Sequence, residues 1–216
     1  PSLHSSQNEQ DNRSLAKFAK CLLFEPADSQ EAYDMVCAGF ELSEKYQVPV
    51  IVRTTTRTAH TSTVVDIGSG ERSETPVIPY VKNAQRNVAV PAHGRLMRFA
   101  VEKRSQALRA LTEESPFNRA DSGTGDIGFV ASGVAYQYVK EVFPTAPVFK
   151  VGLSYPPPLE KIRAFAAGVQ RLVVIEESDP VLAEQIRAAG IPVVEPKTEL
   201  HMMELDPVRL GALRAE

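Results

Sequence analysis

Four short apolar runs, separated by stretches with helical periodicity, constrain the fold of the second half of this sequence most strongly. The runs are continuous rather than alternating, which is typical of parallel strands covered on both faces. A proline-rich turn at residues 155–158 and a proline at 180 precede two of the helical stretches. The sequence therefore predicts a doubly wound parallel sheet of about four strands. The predicted strands are 127–131, 148–151, 172–175 and 191–194.

The N-terminal region shows a smaller strand–helix–strand pattern. Residues 22–24 and 50–52 are apolar runs, and Asp28 and Glu31 have the N-cap and N3 spacing that begins a helix. Two strands and one helix cannot bury both faces of a sheet, so we expect this first domain to be incomplete. The start at Pro1 rather than Met fits that expectation. The predicted apolar face of the helix consists of Ala32, Met35, Val36, Phe40 and Tyr46.

Composition and charge exclude several classes of protein. A net charge of −3 gives no general basic field, so nucleic acid is not an expected partner. No apolar run approaches the roughly 20 residues of a membrane span, and no signal peptide is recognisable. Cys21 and Cys37 read as reduced side chains of a cytoplasmic protein. They lack iron–sulfur spacing, and the four histidines lack metal-ligand spacing, so no metal site is predicted.

Two glycine motifs invite a phosphate-binding interpretation that their surroundings do not favour. Residues 68–70 spell Gly-Ser-Gly but are not followed by helical periodicity, so residues 68–91 are better interpreted as a linker. Residues 123–128 spell G-x-G-x-x-G, yet the predicted strand follows the glycines instead of preceding them. A dinucleotide fingerprint requires the opposite order. These glycines are interpreted as a flexible approach to the sheet.

Three further features each allow a functional and a structural interpretation. A helix is predicted over residues 92–114, whose arginines could meet phosphates but more often form a solvated face or a subunit contact. Ser132 could open an anion site or be a simple N-cap. Glu176 and its neighbours follow a strand, where they could bind a cation or place negative charge at the next helix N-terminus. The predicted core stripe of the long helix is Met97, Ala100, Val101, Leu108 and Leu111.

The polar stretch 2–13 carries a family resemblance. Its sequence, SLHSSQNEQDNR, together with AKFA at 16–19, resembles the signature loop of the indolepyruvate ferredoxin oxidoreductase alpha-subunit family. RTTTRTAH at 53–60 resembles the end of that family's pyrimidine-binding domain, and SGVAY at 132–136 resembles part of the next domain. These enzymes are thiamine-diphosphate-dependent 2-oxoacid:ferredoxin oxidoreductases.

The resemblance implies a fold, a domain division and a set of site residues. It implies an α/β chain in which residues 1–67 are the tail of a pyrimidine-binding thiamine-diphosphate domain. Residues 68–91 would be a linker, and 92–216 a transketolase-C-terminal-like doubly wound sheet domain. Arg13 would order the polar loop through a carboxylate such as Asp11. The implied substrate-loop residues are His4, Ser6, Gln7 and Asn8.

It also implies a reaction that this chain would not perform by itself. The parent enzyme oxidatively decarboxylates indolepyruvate and other arylpyruvates to acyl-CoA, using thiamine diphosphate, Mg²⁺ and iron–sulfur clusters. The implied partners are the remaining domains of the subunit, a beta subunit, ferredoxin, coenzyme A and the 2-oxoacid, in a dimer or higher oligomer. The activating glutamate and the Mg²⁺ motif of the family are not present, so no catalytic residue is assigned and an inactive fragment is expected. The alternative is a non-catalytic α/β module for subunit or nucleotide binding.

Overall fold

A small sheet forms around the predicted N-terminal strand–helix–strand unit. The computed structural model describes residues 11–68, 77, 79–196, 200 and 204–215. Helix α1 (Arg13–Ala19) leads into strand β1 (Leu22–Phe24), followed by α2 (Ser29–Tyr46) and β2 (Val50–Val52). β1 and β2 pair in parallel, with Leu23 opposite Ile51. Asp28 caps α2 as predicted, since its carboxylate accepts from the Glu31 N–H at 2.9 Å.

Two short helices and one long helix connect this unit to the second half of the chain. They are α3 (Thr56–His60), α4 (Ala84–Asn87) and α5 (Pro91–Glu114). Pro91 stands in the first turn of α5, where a missing N–H costs no hydrogen bond. The predicted bounds of the long helix, 92–114, are therefore confirmed to within one residue.

A four-stranded sheet with the order β3-β5-β4-β7 dominates the second half. Strands β4 (Ile127–Ser132), β5 (Val148–Val151) and β7 (Arg171–Ile175) are parallel, and β3 (Asn118–Asp121) runs antiparallel to β5. The remaining elements of this half are α6 (Val134–Val142), β6 (Leu153–Tyr155), α7 (Leu159–Ala166), α8 (Val181–Ala188), α9 (Pro207–Gly211) and a 3₁₀ turn (Ala212–Ala215).

Helices cover both faces of this sheet, so the predicted doubly wound α/β fold is confirmed. On one face α6 and α9 pack on Phe129, Ala131 and Ile175. On the other face α7 and α8 pack on the alternate side chains Val130 and Val174. Alternate residues of one strand thus enter different cores, as expected for a strand buried on both faces.

Strand β6 joins the two sheets. It leaves β5 after Gly152 and pairs antiparallel with β1, so that Leu153 lies opposite Phe24. Buried Asn118 holds this crossing: its side-chain Oδ1 accepts from the N–H groups of Gly152 and Leu153 at 3.0 and 2.9 Å. Its Nδ2 donates to the carbonyls of Thr112 and Leu153, both at 3.0 Å. One fully satisfied amide therefore fixes the path between the sheets.

A buried lysine links the same two units by charge. Lys150 on β5 is 1% exposed, forms an ion pair with Glu31 of α2, and lies 5.0 Å from the ring centre of Tyr136. Burial lowers the pKa of Lys150 to about 8, although the nearby Asp28 carboxylate acts in the opposite direction. The ammonium is therefore held at an energetic cost inside the interface.

One predicted strand of the second sheet was wrong. Residues 191–194 do not form a strand, because Pro192 has no N–H and only Val194 donates to the neighbouring strand, to the Leu172 carbonyl at 2.8 Å. The fourth strand is instead β3, which the sequence analysis missed because its residues, Asn-Arg-Ala-Asp, are not apolar.

The predicted apolar faces of α2 and α5 were also wrong in part, because some of their residues are not buried. In α2, Met35 is buried but Phe40 is 74% exposed and Val36 is 43% exposed. In α5, Leu108 is buried as predicted, whereas Met97 and Ala100 lie outside the core. Periodicity located the apolar faces, but it could not tell which of them meets a core in this chain. Across the described ranges, no helix is both long enough and apolar enough to cross a bilayer.

A buried ion cluster at the strand ends

Parallel strands β1 and β2 end beside each other, and each is followed by a charged residue. Glu25 follows β1 and Arg53 follows β2. The Glu25 carboxylate accepts a hydrogen bond of 2.7 Å from Arg53 Nη1, and both side chains are 3% exposed. Arg53 Nε also donates to Asn12 Oδ1 at 3.0 Å. A buried pair of this kind requires that each charge keep its partner, because either one alone would be uncompensated.

Arg13 is the hub of the cluster and joins α1 to the end of β7. Its Nη1 donates to Glu176 Oε2 at 2.5 Å. Its Nη2 donates to the carbonyls of Glu177 and Asp179 at 2.7 and 2.6 Å. Nε and Nη2 both contact Asp11, the latter at 2.5 Å. Because the guanidinium fork is rigid, these contacts fix the position of the first turn of α1.

The two carboxylates that face Arg13 respond to it differently. Burial disfavours the charged form of Asp11, but the hydrogen bonds and charge of Arg13 outweigh burial and lower the pKa of Asp11. Burial raises the pKa of Glu176, although the charge of Arg13 opposes this. The Glu176 carboxylate also accepts from the N–H groups of Leu182 and Ala183, both at 2.9 Å. Glu176 therefore caps α8, the structural interpretation that the sequence allowed.

The cluster fills the crevice where doubly wound sheets usually bind ligands. Strands β4 and β7 are neighbours whose following helices, α6 and α8, lie on opposite faces of the sheet. In such folds the crevice between the carboxyl ends of two strands of this kind is the usual ligand site. Here a Cβ placed on Gly133 would lie 3.9 Å from Glu25 Cβ, and Arg13 sits on Glu176. Side chains of the first unit thus occupy the crevice of the second.

Several buried polar atoms around the cluster have no hydrogen-bond partner within the described part of the chain. Arg53 Nη2 is one, and three hydroxyls share the property. These hydroxyls belong to Thr55, Thr58 and Ser178. An unpaired buried donor costs free energy, so such groups commonly serve a ligand or another segment. Ser178 also has a φ of 65°, a left-handed conformation that a serine rarely adopts.

The predicted site residues divide into two groups. The substrate-loop residues His4, Ser6, Gln7 and Asn8 lie outside the described residues. Asp11 and Arg13 lie within them and contact each other; their ordering of the loop stays a prediction. Glu25 and Arg53 were not predicted as members of the cluster. A signal was available, since each charged residue directly follows an apolar strand run.

The glycine motif at 123–128 serves packing. A Cβ on Gly123 would come within 2.3 Å of the backbone of Ala146 and Pro147. A Cβ on Gly128 would meet Val169 at 2.8 Å. Strand β4 begins at Ile127, after the first two glycines, as the sequence order predicted. The motif is therefore not a dinucleotide fingerprint, and Gly123 is closely packed rather than a flexible approach.

The described residues present no cluster of side chains suited to a metal ion. Among them, no three His, Cys, Asp or Glu side chains are grouped so as to hold a metal ion. The carboxylates of Asp11, Glu25 and Glu176 are engaged by arginines or by backbone N–H groups. Cys21 is buried and Cys37 is exposed, and neither belongs to a cluster motif. The described geometry orients and anchors segments of the chain.

Comparison with known protein families shows which family this chain belongs to. The model of one family, described as "Pyruvate flavodoxin/ferredoxin oxidoreductase, thiamine diP-bdg", matches residues 1–132. That match includes the polar loop, β1, β2 and the helix α5. The chain belongs to this family.

Curated relatives of this chain are named as subunits of an indolepyruvate oxidoreductase. "Indolepyruvate oxidoreductase subunit IorA" of Methanothermobacter thermautotrophicus is 40% identical over 196 residues, 88% of this chain and 32% of the relative. The protein of the same name from Archaeoglobus fulgidus is 35% identical over 206 residues, 94% of this chain and 33% of the relative. The chain therefore spans about a third of the length of these relatives.

One solved structure has the same fold as this chain. It is a 2-oxoglutarate:ferredoxin oxidoreductase from Magnetococcus marinus with 2-oxoglutarate, coenzyme A and succinyl-CoA bound. The TM-score is 0.67 at 18% identity, and the match covers 96% of this chain and 45% of the other. At that identity the match supports the fold alone. The family match ends at residue 132, and the predicted domain division at residues 67 and 92 stays a prediction.

Proposed function

We propose that this chain is part of an enzyme that oxidatively decarboxylates arylpyruvates, indolepyruvate among them, to acyl-CoA and passes the electrons to ferredoxin. The observation that carries the proposal is identity of 35–40% to relatives named as indolepyruvate oxidoreductase subunits, over nearly nine-tenths or more of this chain. Membership of the thiamine diphosphate-binding family supports the same reaction class.

The polar loop is the proposed substrate-side element of this chain. His4, Ser6, Gln7 and Asn8 would present hydroxyl, amide and imidazole groups to the carboxylate and keto oxygen of the 2-oxoacid. The loop leads directly into α1, whose first residue is Arg13. Anchoring that residue in a buried cluster limits where the loop can lie, which supports a positioning role.

The contribution of the strand-end cluster to the reaction would be orientation and exclusion of water. Thiamine diphosphate, when bound in enzymes of this kind, supplies the carbanion chemistry. Arg13 holds α1 on the end of β7, and Arg53 holds the residue before α1 at the ends of β1 and β2, through contacts that are almost wholly shielded from solvent. A rigid buried scaffold keeps loop groups within the narrow tolerance that a reactive geometry requires.

The remaining predictions for the parent enzyme belong to the same proposal. Mg²⁺ and iron–sulfur clusters would be held outside this chain. The partners would be the remaining domains of the subunit, a beta subunit, ferredoxin and coenzyme A, within a cytoplasmic oligomer.

A chimera tests the proposal. The homologous third of the Methanothermobacter relative would be replaced by this chain, and the product would be expressed with the companion subunits. Indolepyruvate-dependent reduction of viologen should be retained, because the inserted segment would supply the proposed loop and the scaffold that anchors it. A folded, cofactor-loaded chimera without activity would contradict the proposal.

Loop variants and the isolated chain sharpen this test. In the chimera Gln7→Ala should raise the KM for indolepyruvate by about tenfold if one hydrogen bond to the carboxylate is lost. Gln106→Ala, an exposed amide change on α5, is the matched control. The isolated 216-residue chain should show no viologen reduction, and Mg²⁺ with thiamine diphosphate should not raise its melting temperature.

A further inference from the structure

Three buried polar side chains on one stretch of chain share an unusual property. The stretch is residues 53–58, here called the 53–58 segment, which leaves the carboxyl end of β2 and enters α3. Arg53, Thr55 and Thr58 are 6%, 5% and 7% exposed. Arg53 Nη2, Thr55 Oγ1 and Thr58 Oγ1 have no hydrogen-bond partner within the described part of the chain. A buried donor of this kind costs free energy until something pairs with it.

The backbone turns all three side chains towards one side. The Arg53 N–H continues the ladder of β2 by donating to the Phe24 carbonyl at 2.8 Å, and Thr55 is extended, with φ −94° and ψ 169°. Alternate residues of an extended chain point to the same side, and Thr54, between them, is exposed. Thr55 is the N-cap of α3 and Thr58 follows three positions later, so both lie on the same face of its first turn. A guanidinium group and two hydroxyls are thus gathered on one buried side.

The local fold does not use these groups for its own stability. An N-cap threonine usually accepts a hydrogen bond from its helix, but Thr55 makes no such contact with the described residues of α3. Arg53 is held by its other nitrogens, since Nη1 donates to Glu25 at 2.7 Å and Nε donates to Asn12 at 3.0 Å. Its Nη2 is therefore fixed in place by contacts in which it takes no part. Groups that are buried, held and unpaired are typical of binding sites, where stability is given up for function.

Arg53 also connects these donors to the polar loop. Asn12, which its Nε contacts, is the residue before α1, and the proposed substrate-loop residues end four positions earlier, at Asn8. The 53–58 segment follows the carboxyl end of a parallel strand, which is where α/β sheets bind their ligands. The unpaired donors and the anchor of the loop therefore meet at a single guanidinium group.

We propose, on the basis of the function proposed above, that Arg53, Thr55 and Thr58 bind the head group of the substrate, meaning the carboxylate and adjacent keto group that all 2-oxoacids share. The head group presents only acceptor oxygens, and the 53–58 segment presents donors, one of them on a cation, which is the combination that a carboxylate prefers. Because Arg53 is already paired with Glu25, recognition depends on the direction of the donors more than on net charge. Since Asn12 shares the same guanidinium group, one side chain sets both head-group binding and the anchor of the loop.

Valine substitutions test the site, because valine keeps the branched shape of threonine and removes the hydroxyl. In the chimeric enzyme, Thr55→Val and Thr58→Val should each raise the KM for indolepyruvate by about tenfold, the effect of one lost hydrogen bond, and change kcat by less than about threefold. The same factor is expected for phenylpyruvate, because the lost bond is to the head group that both substrates carry. Thr63→Val is the control, since Thr63 is exposed, and it should leave both constants unchanged.

The stability of the isolated 216-residue chain gives a readout that does not depend on activity. Removing a buried hydroxyl that has no partner also removes its desolvation cost, so Thr55→Val and Thr58→Val should keep or raise the melting temperature. Hydroxyls with a structural role would behave in the opposite way, and their loss would lower the melting temperature without changing KM. The same variants are therefore expected to be at least as stable as the wild-type chain and weaker in substrate binding.

An inactive chimera and an unresponsive KM have different meanings. A folded, cofactor-loaded chimera without activity contradicts the proposed function, and with it the identity of the ligand. An active chimera whose KM is unchanged by both valine substitutions overturns the head-group site alone. So does an increase in KM for indolepyruvate that phenylpyruvate does not share, or a lower melting temperature in both valine variants.

Discussion

Arg13 Nη1 donates a 2.5 Å hydrogen bond to Glu176, although 163 positions separate the two residues in the sequence. This contact places the start of α1 against the carboxyl end of β7, in the crevice that doubly wound sheets use for ligands. The crevice therefore serves to hold one unit of the chain on the other. Within the described residues, the charged groups of this crevice contact one another and the backbone of the facing unit.

Removing Arg13 should strongly destabilise the chain. Arg13→Ala would leave Asp11 and Glu176 buried without their cation, so we expect a loss of about 3–5 kcal/mol in the free energy of unfolding. Urea denaturation followed by circular dichroism measures it. Arg98→Ala is the control, because Arg98 forms an exposed pair with Glu102 and should change the same quantity by about 0.5 kcal/mol or less. Equal effects of the two substitutions would contradict the buried hub.

The Glu25–Arg53 pair should show strong energetic coupling. In a double-mutant cycle with Glu25→Gln and Arg53→Gln, we expect a coupling energy of about 1.5 kcal/mol or more, because each single change leaves a buried charge unpaired. The exposed pair of Glu160 and Arg163 on α7 should show about 0.5 kcal/mol or less. A coupling near zero for the buried pair would mean that solvent reaches it.

Lys150 should make the free energy of unfolding depend on pH in the alkaline range. Its pKa is about 8 in the folded chain and 10.5 when unperturbed, so between these values the unfolded state binds more protons. Stability contributed at this site therefore rises with pH from about 8 to about 10.5, by on the order of 3 kcal/mol.

The matched measurement is a comparison with Lys150→Met, which keeps the volume without the charge. The difference in unfolding free energy between the two proteins should favour Lys150→Met at pH 7 and shrink as pH rises towards 10. A difference that is constant over this pH range would show that Lys150 is not perturbed in the folded state.

Two glycine substitutions should have opposite effects on the free energy of unfolding. A Cβ on Gly123 would overlap the backbone of Ala146 and Pro147 at 2.3 Å, so Gly123→Ala should cost about 1–3 kcal/mol or more. Gly94 lies in α5 with nothing within 4 Å of an added Cβ, so Gly94→Ala should stabilise by about 0.5–1 kcal/mol. Thermal melting distinguishes them. A neutral Gly123→Ala would return that glycine to the role of a flexible connector.

Much of the fold followed from the sequence because its strands are short, continuous apolar runs. β1, β2, β4, β5 and β7 were all predicted, since parallel strands are typically continuous apolar runs. β3 and β6 were missed because Asn118 and its neighbours are polar, and because β6 is held by pairing with a distant strand.

The ion cluster could be predicted only in part. The charged residues after β1, β2 and β7 can be read from the sequence, but their meeting depends on how two sheets are placed together. The sequence predicted that Arg13 contacts Asp11, its neighbour in sequence. Its contact with Glu176 depends on the tertiary fold. The exposure of Phe40 likewise depends on which surfaces are covered, which periodicity does not report.

The role proposed for the ion cluster is tested most directly by the kcat/KM of the chimeric enzyme for indolepyruvate. Viologen reduction measures this quantity in the chimera and in its Arg13→Lys variant. Lysine keeps the charge but cannot reproduce the fork of contacts to Asp11, Glu176 and the two carbonyls. We predict activity with Arg13 and a loss of about 100-fold or more with Arg13→Lys, in a chimera that remains folded and cofactor-loaded. Unchanged activity in Arg13→Lys, or no activity in the intact chimera, would contradict the claim that this cluster positions the substrate loop of a 2-oxoacid oxidoreductase.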